Sequence, residues 1–309
     1  MEWIIARWIT FVATVLATGA CAVALALLPR ATAADGDARR LIARDSARIG
    51  IAAALALIPA AFMRLSDQLF ALRSSGDALF AGAVPLLTST MWGSGFLWQS
   101  AATLLALAGF AHAHGEPASR SRWIVPALGC LGLCATPSLQ GHAIGSEMYT
   151  SLAVAADIAH VTGAGLWLGA IGVIGLLGVA IPNGDGIVSP AHASRADARL
   201  RLLVPLVPPV ALPGAALLLL SGVTATVLKL TDVRDLWVET WGRYVLVKMI
   251  LVTVIVALGA RNWRHLGPRM ARADGVPALR RSLIIELLIA LLVLLITAVL
   301  IVTPLPGES

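Results

Sequence analysis

The chain has 309 residues, of which 58% are apolar and only 13% charged, with a net charge of +6 and a mean hydropathy of +0.86. An average soluble domain carries roughly 25% charged residues, so a water-soluble fold of this size would have too little polar side chain to cover its surface. A membrane-spanning helix takes about 20 residues, and eight of them leave only termini and short connections, which excludes a soluble enzyme, a nucleic-acid module and a fused periplasmic binding domain.

Apolar windows predict spans near Trp8–Leu28, Arg48–Met63, Trp92–Ala111, Trp123–Leu139, Ser151–Ile181, Leu202–Leu228, Tyr244–Trp263 and Leu283–Val302. The expectation is an all-α polytopic membrane bundle, a single integral membrane domain over residues 1–309 with no separate soluble domain. The first apolar run is too long for a signal-peptide core and is taken as a span. Eight helices place both termini on one side. The first, third, fifth and seventh connections carry sixteen arginines, among them Arg39, Arg40, Arg122, Arg199 and Arg280, against six basic residues on the other side. Short basic loops stay in the cytoplasm, so both termini are expected in the periplasm of a bacterial inner membrane. Trp92, Trp123, Trp237, Trp241 and Trp263, at or near span ends, read as an interfacial aromatic belt. Pro205, Pro208, Pro209 and Pro213 predict an irregular entry into the sixth span.

An Asp, Lys or Arg at the centre of a spanning helix costs about 2.5–3.5 kcal/mol on insertion scales, which makes the few polar residues inside the spans the functional candidates. Asp157 and His160 are three apart and share a face of the fifth span. At about 1.5 Å of rise per residue, His160 lies about 15 Å below the outer end. It is either a core histidine donating to a carbonyl across helices, a metal ligand whose second ring N–H is held by Asp157, or part of a proton relay with that carboxylate. His142, in the outward connection LQGHAIGSEMY with Met148, sits near the mouth of the same helix. Imidazole and thioether suit copper, thioether favouring Cu(I). Met91 and Met249 are expected at about the same level, as further soft ligands or as packing. Cys130 and Cys134 are i and i+4 on the fourth span and either pass a soft ion inward or fill the core as small hydrophobes. With Cys21 they are too few and too deep for a disulfide framework. His112 and His114, beside Glu116, read as solvated residues or a weak exit site. Lys248 is expected to snorkel to the outer interface, and Glu286 to reach the inner interface or pair with an arginine.

Taken together, these residues resemble the copper resistance D family of bacterial inner-membrane proteins with eight spans. The resemblance is strongest over about 139–304. It rests on Gly141-His142-Ala143, on Asp157 and His160 followed by Trp167 and Gly169, on Ser221-Gly222-Val223, and on Thr240, Gly242, Arg243 and Lys248 in TWGRYVLVK, where Trp241 replaces the more usual tyrosine. Asn262, Glu286 and Thr303-Pro304 also fit, and in the first half the segment from Thr88 to Trp98 looks similar. The resemblance implies transport of copper, as substrate, from periplasm to cytoplasm beside a periplasmic CopC-type copper-binding partner, with His142 and His160 as ligands. Nothing resembles a nucleotide-binding loop, so transport would be passive or gradient-coupled, with Asp157 a candidate proton group, and no enzymatic activity is expected. Two other readings stand beside this one: a haem-binding electron carrier, which needs a second histidine at the depth of His160, and a non-transporting copper-binding assembly or sensor protein.

Overall fold

The computed structural model describes residues 2–32, 34–72, 82–140, 150–179, 190–230, 232–271 and 275–306, which are helices and their connections with no strand among them. Helix α1 (Glu2–Ala22) runs on through a π turn, Val23–Leu27, and a 3-10 turn, Leu28–Arg30; α2 is Gly36–Leu72, α3 Ala83–Ser89, α4 Met91–Gly115 and α5 Ile124–Gln140. Helix α6 (Thr150–Ala164) continues through a π turn, Gly165–Gly169, into α7 (Ala170–Leu177); α8 is Pro190–Leu203, α9 Pro208–Val227, α10 Asp235–Val238, α11 Thr240–Arg261 and α12 Gly275–Leu300. Among the described residues eight helices are long and apolar enough to cross a membrane, each overlapping one of the expected windows.

The second span is longer than its window. Helix α2 has 37 residues and is therefore about 55 Å long, more than the roughly 30 Å of a hydrocarbon core. Its basic first turns, with Arg39, Arg40 and Arg44, extend beyond the apolar stretch; their charge hid the helix from a hydropathy window. The entry to α9 is irregular as expected, a 3-10 turn over Val204–Leu206 followed by Pro208 in the first helical turn.

Two spans form the centre of the bundle. In Trp3–Arg30 and in Ser151–Leu177, 72% of the apolar stretch is buried, against 17–44% in the other six. They can be central because glycines let their backbones touch. A Cβ on Gly19 would stand 2.1 Å from the Gly169 carbonyl carbon, and one on Gly169 would stand 2.1 Å from the Val15 carbonyl oxygen. On another side, a Cβ on Gly163 would meet the Leu218 nitrogen at 2.6 Å, so α6 and α9 also cross closely. Without a hydrophobic driving force between helices in lipid, such close approach supplies the packing. Trp167, in the π turn, is 5% exposed. The outer surface is apolar in turn: Leu104, Leu128, Leu220, Ile250 and Leu288 are 55–71% exposed, a pattern suited to lipid rather than water.

The belt reading holds for neither Trp123 nor Trp241, which are 2% and 6% exposed and face protein. The Trp123 indole donates to the Pro117 carbonyl at 3.2 Å, and its ring packs edge-on against Phe110; Trp237 and Trp263 are exposed. Part of the arginine excess is paired: Arg199 bonds Asp45, and Arg280 bonds Asp197 at 2.6 Å, tying α8 to α2 and α12. Such pairs contribute about 0–1 kcal/mol each, so the buried Ala196, Leu200 and Leu203 do more to seat α8.

Candidate metal centre

The His160 ring projects from α6 towards α9 and α11. Its Nδ1 lies 3.0 Å from the Leu218 carbonyl oxygen and 3.3 Å from Ser221 Oγ. A carbonyl can only accept, so the proton is on Nδ1 and the Nε2 lone pair is left available. The Ser221 hydroxyl donates to the Leu217 carbonyl at 2.6 Å, which turns its own lone pairs towards the ring. A Cβ on Gly222 would stand 3.0 Å from His160 Cε1 and 3.3 Å from Nδ1. The Ser221-Gly222-Val223 segment thereby acquires a physical meaning: a hydroxyl that helps hold the ring, and a missing side chain that makes room for it.

Nε2 faces Lys248, whose Nζ is 3.4 Å away. Lys248 does not snorkel outward, and the reason is the rotation of α11. Trp241, Gly242, Val245, Val252 and Ile255 are its buried positions; Lys248 falls on the stripe of alternating four- and three-residue steps through Trp241, Val245, Val252 and Ile255, whereas Met249 falls off it. The start of the helix fixes that rotation. A Cβ on Gly242 would stand 2.1 Å from the Asp235 carbonyl oxygen, so α11 rests on α10. The Arg243 guanidinium donates to the Trp237 and Val238 carbonyls at 2.9 and 3.2 Å, closing the end of that short helix. Gly242, Arg243 and Lys248 thus form one device that aims an amine at an imidazole.

Asp157 is not among the described hydrogen-bond partners of His160. The role expected of it, holding the ring, is performed by the Leu218 carbonyl. Asp157 is half-buried, and it and Lys229 lie within charge-interaction range of Lys248. Deeper along α11, the Asn262 amide donates to Glu286. Glu286, 2% exposed, is buried and among the described residues pairs with no arginine; it sits on the buried stripe of α12 with Leu279, Leu283, Ala290 and Val293.

His142 and Met148 lie outside the described residues. Met91 and Met249 are 61% and 52% exposed on the outside of the bundle, and neither is brought to His160. At Met91 the chain instead makes a helix corner: Thr90 Oγ1 accepts from Gly93 N at 2.9 Å, and Gly93 packs on the α3 backbone. His112 and His114 lie in the last turn of α4, and Glu116 is taken up by Arg122 at 2.5 Å. Cys130 and Cys134 are buried on the side of α6 away from His160, facing α1, where Cys21 joins them; all three are free thiols. Among the described residues no three His, Cys, Asp or Glu side chains form a metal-holding group.

The chain matches two protein-family descriptions, Copper resistance protein D over residues 208–300 and Copper resistance protein D-like, N-terminal domain, over residues 1–148. The first covers Ser221, Gly222, Lys248, Asn262 and Glu286; the second covers the three cysteines and extends the relation through the first half of the chain. Neither comparison with curated proteins nor comparison with solved structures gives a match. A multi-pass helical bundle with these two matches is a copper-related membrane protein, and the chain belongs to the copper resistance D family.

Proposed function

We propose that the protein moves copper ions across a bacterial inner membrane, from periplasm to cytoplasm, with His160 Nε2 as the atom that takes the ion inside the bundle. One observation carries the reading. The ring is oriented through Nδ1 by a backbone carbonyl, and its unprotonated Nε2, the nitrogen a metal ion would use, is met by a charged donor, the Lys248 ammonium. That contact satisfies the buried lone pair with a cation, the kind of partner a metal ion can replace.

Copper arriving at Nε2 takes the place of the Lys248 ammonium, one cation exchanging for another. The displaced amine stays within the electrostatic reach of Asp157, which serves as its counter-charge. The return of Lys248 to Nε2 then expels the ion, and a site that binds weakly enough to release is what conduction requires. His142 and Met148 form the outer mouth in this scheme, a CopC-type protein delivers copper there, and the chain carries no enzymatic activity.

The test in cells is copper accumulation. His160→Ala, expressed at the level of the unaltered protein, abolishes copper-dependent accumulation; unchanged accumulation would overturn the assignment. An absorption spectrum of the purified protein separates this reading from an electron carrier, since a Soret band would require haem.

A further inference from the structure

The side of α6 opposite His160 holds a second group of unusual side chains. Cys21 Sγ on α1 and Cys130 Sγ on α5 are 3.9 Å apart across two helices, 109 residues apart in sequence. Cys134, one turn from Cys130, has its Sγ 3.7 Å from Thr18 Oγ1. The Thr162 hydroxyl on α6 stands beside Cys134, buried and without a well-formed hydrogen bond among the described residues. Cys21, Cys130 and Cys134 are 6%, 2% and 0% exposed, so the group is sealed from water.

We propose that Cys21 and Cys130 bind a single monovalent soft ion, Cu(I), as a two-thiolate site distinct from His160. A metal–thiolate bond is about 2.3 Å, which sets two sulfurs on one ion about 3.8–4.0 Å apart at tetrahedral to trigonal angles and about 4.6 Å apart when collinear. The observed 3.9 Å separation admits the ion at a bent angle and reaches the collinear geometry with a few tenths of an ångström of movement by each sulfur. Thiolate sulfur suits Cu(I), Zn and iron–sulfur centres, and of these a two-sulfur site satisfies the monovalent d10 ion, whereas structural zinc takes four ligands. Cys134 stands one helical turn away as a neighbouring sulfur; the Thr18 hydroxyl donates to the Thr14 carbonyl at 2.9 Å, which leaves the Thr162 hydroxyl beside Cys134 to donate to sulfur charge.

Binding is a metal-for-proton exchange: two S–H bonds break, two Cu–S bonds form, and both protons leave to the buffer. Copper stays monovalent, so neither oxidant nor reductant is consumed. The site rests on copper being the substrate but not on the route through His160.

The experiment uses the full chain, purified in detergent under reducing, oxygen-free conditions and titrated with Cu(I) against a Cu(I)-specific chromogenic chelator. Copper X-ray absorption reads the ligand atoms. The unaltered protein retains one Cu(I) with a sulfur shell. Cys21→Ser and Cys130→Ser each lose that shell and weaken binding at least about tenfold, the lower bound for losing even an outer partner of a bound metal. Thermal melting of the same samples, with Cys21→Ala as a second variant, separates ligand loss from misfolding. His160→Ala keeps the sulfur shell. An unchanged sulfur shell in folded Cys21→Ser overturns the site. Copper uptake by liposomes containing a protein that shows no sulfur shell overturns the thiol site alone, whereas loss of all copper handling overturns the transport reading.

Discussion

The two sides of α6 place different chemistry on one helix. His160 and Thr162 are two residues apart and so about 200° apart around the axis. One side meets Leu218, Ser221 and Lys248 and is built from charge and oriented hydrogen bonds; the other lies against Thr18 and Cys134, beyond which Cys21 and Cys130 meet, and is neutral and closely packed. A charged side chain that can swing aside suits a place where an ion pauses and leaves. A sealed pair of thiols suits a place where an ion stays. The glycine crossings that bring α1 and α9 against α6 are what allow one central helix to serve both.

The largest effect is expected where both sides are lost together. Gly169→Val places side-chain atoms where the Val15 and Gly19 backbone now lies, and size-exclusion chromatography of the detergent-purified protein should show no monodisperse folded species. Next, Glu286→Leu leaves the buried Asn262 amide without its acceptor and should cost about 1–3 kcal/mol in thermal melting, whereas Glu286→Gln, which retains an acceptor oxygen, should cost less; both should spare the thiol site. Lys248→Met removes the cation that competes for Nε2 and should tighten copper binding at His160 by about tenfold, equivalent to about 1.4 kcal/mol, while slowing release, measured by copper titration and efflux from loaded liposomes. The smallest stability effect belongs to Ser221→Ala, about 1 kcal/mol or less for one partly shared hydrogen bond. Its informative readout is copper uptake, which should fall while binding to the thiols is unaltered.

Much of the architecture was legible: all eight spans follow from hydropathy, a long-range average, and the irregular start of α9 from its prolines, whereas the central place of the span carrying Asp157 and Gly169 emerges only from the packing. Individual orientations were harder. Lys248 and Glu286 were assigned to interfaces by their distance from helix ends, yet both lie on apolar stripes spaced by four and three residues, a periodicity that was available in the sequence. A carbonyl partner across helices was among the readings His160 allowed, but which carbonyl was not legible, since that of Leu218 has no side-chain signature and any residue type supplies one. Cys21 was equally hidden, because nothing local relates it to Cys130. Asp157 shares a face with His160 as its spacing requires, but sharing a face did not make it the group that holds the ring.

The most direct test of the account is copper uptake into liposomes containing the unaltered protein, His160→Ala or Cys21→Ser, with metal analysis of the lumen and matched protein content. The account predicts uptake by the unaltered protein and none by His160→Ala, with Cys21→Ser still transporting. Equal uptake by His160→Ala and the unaltered protein would contradict it.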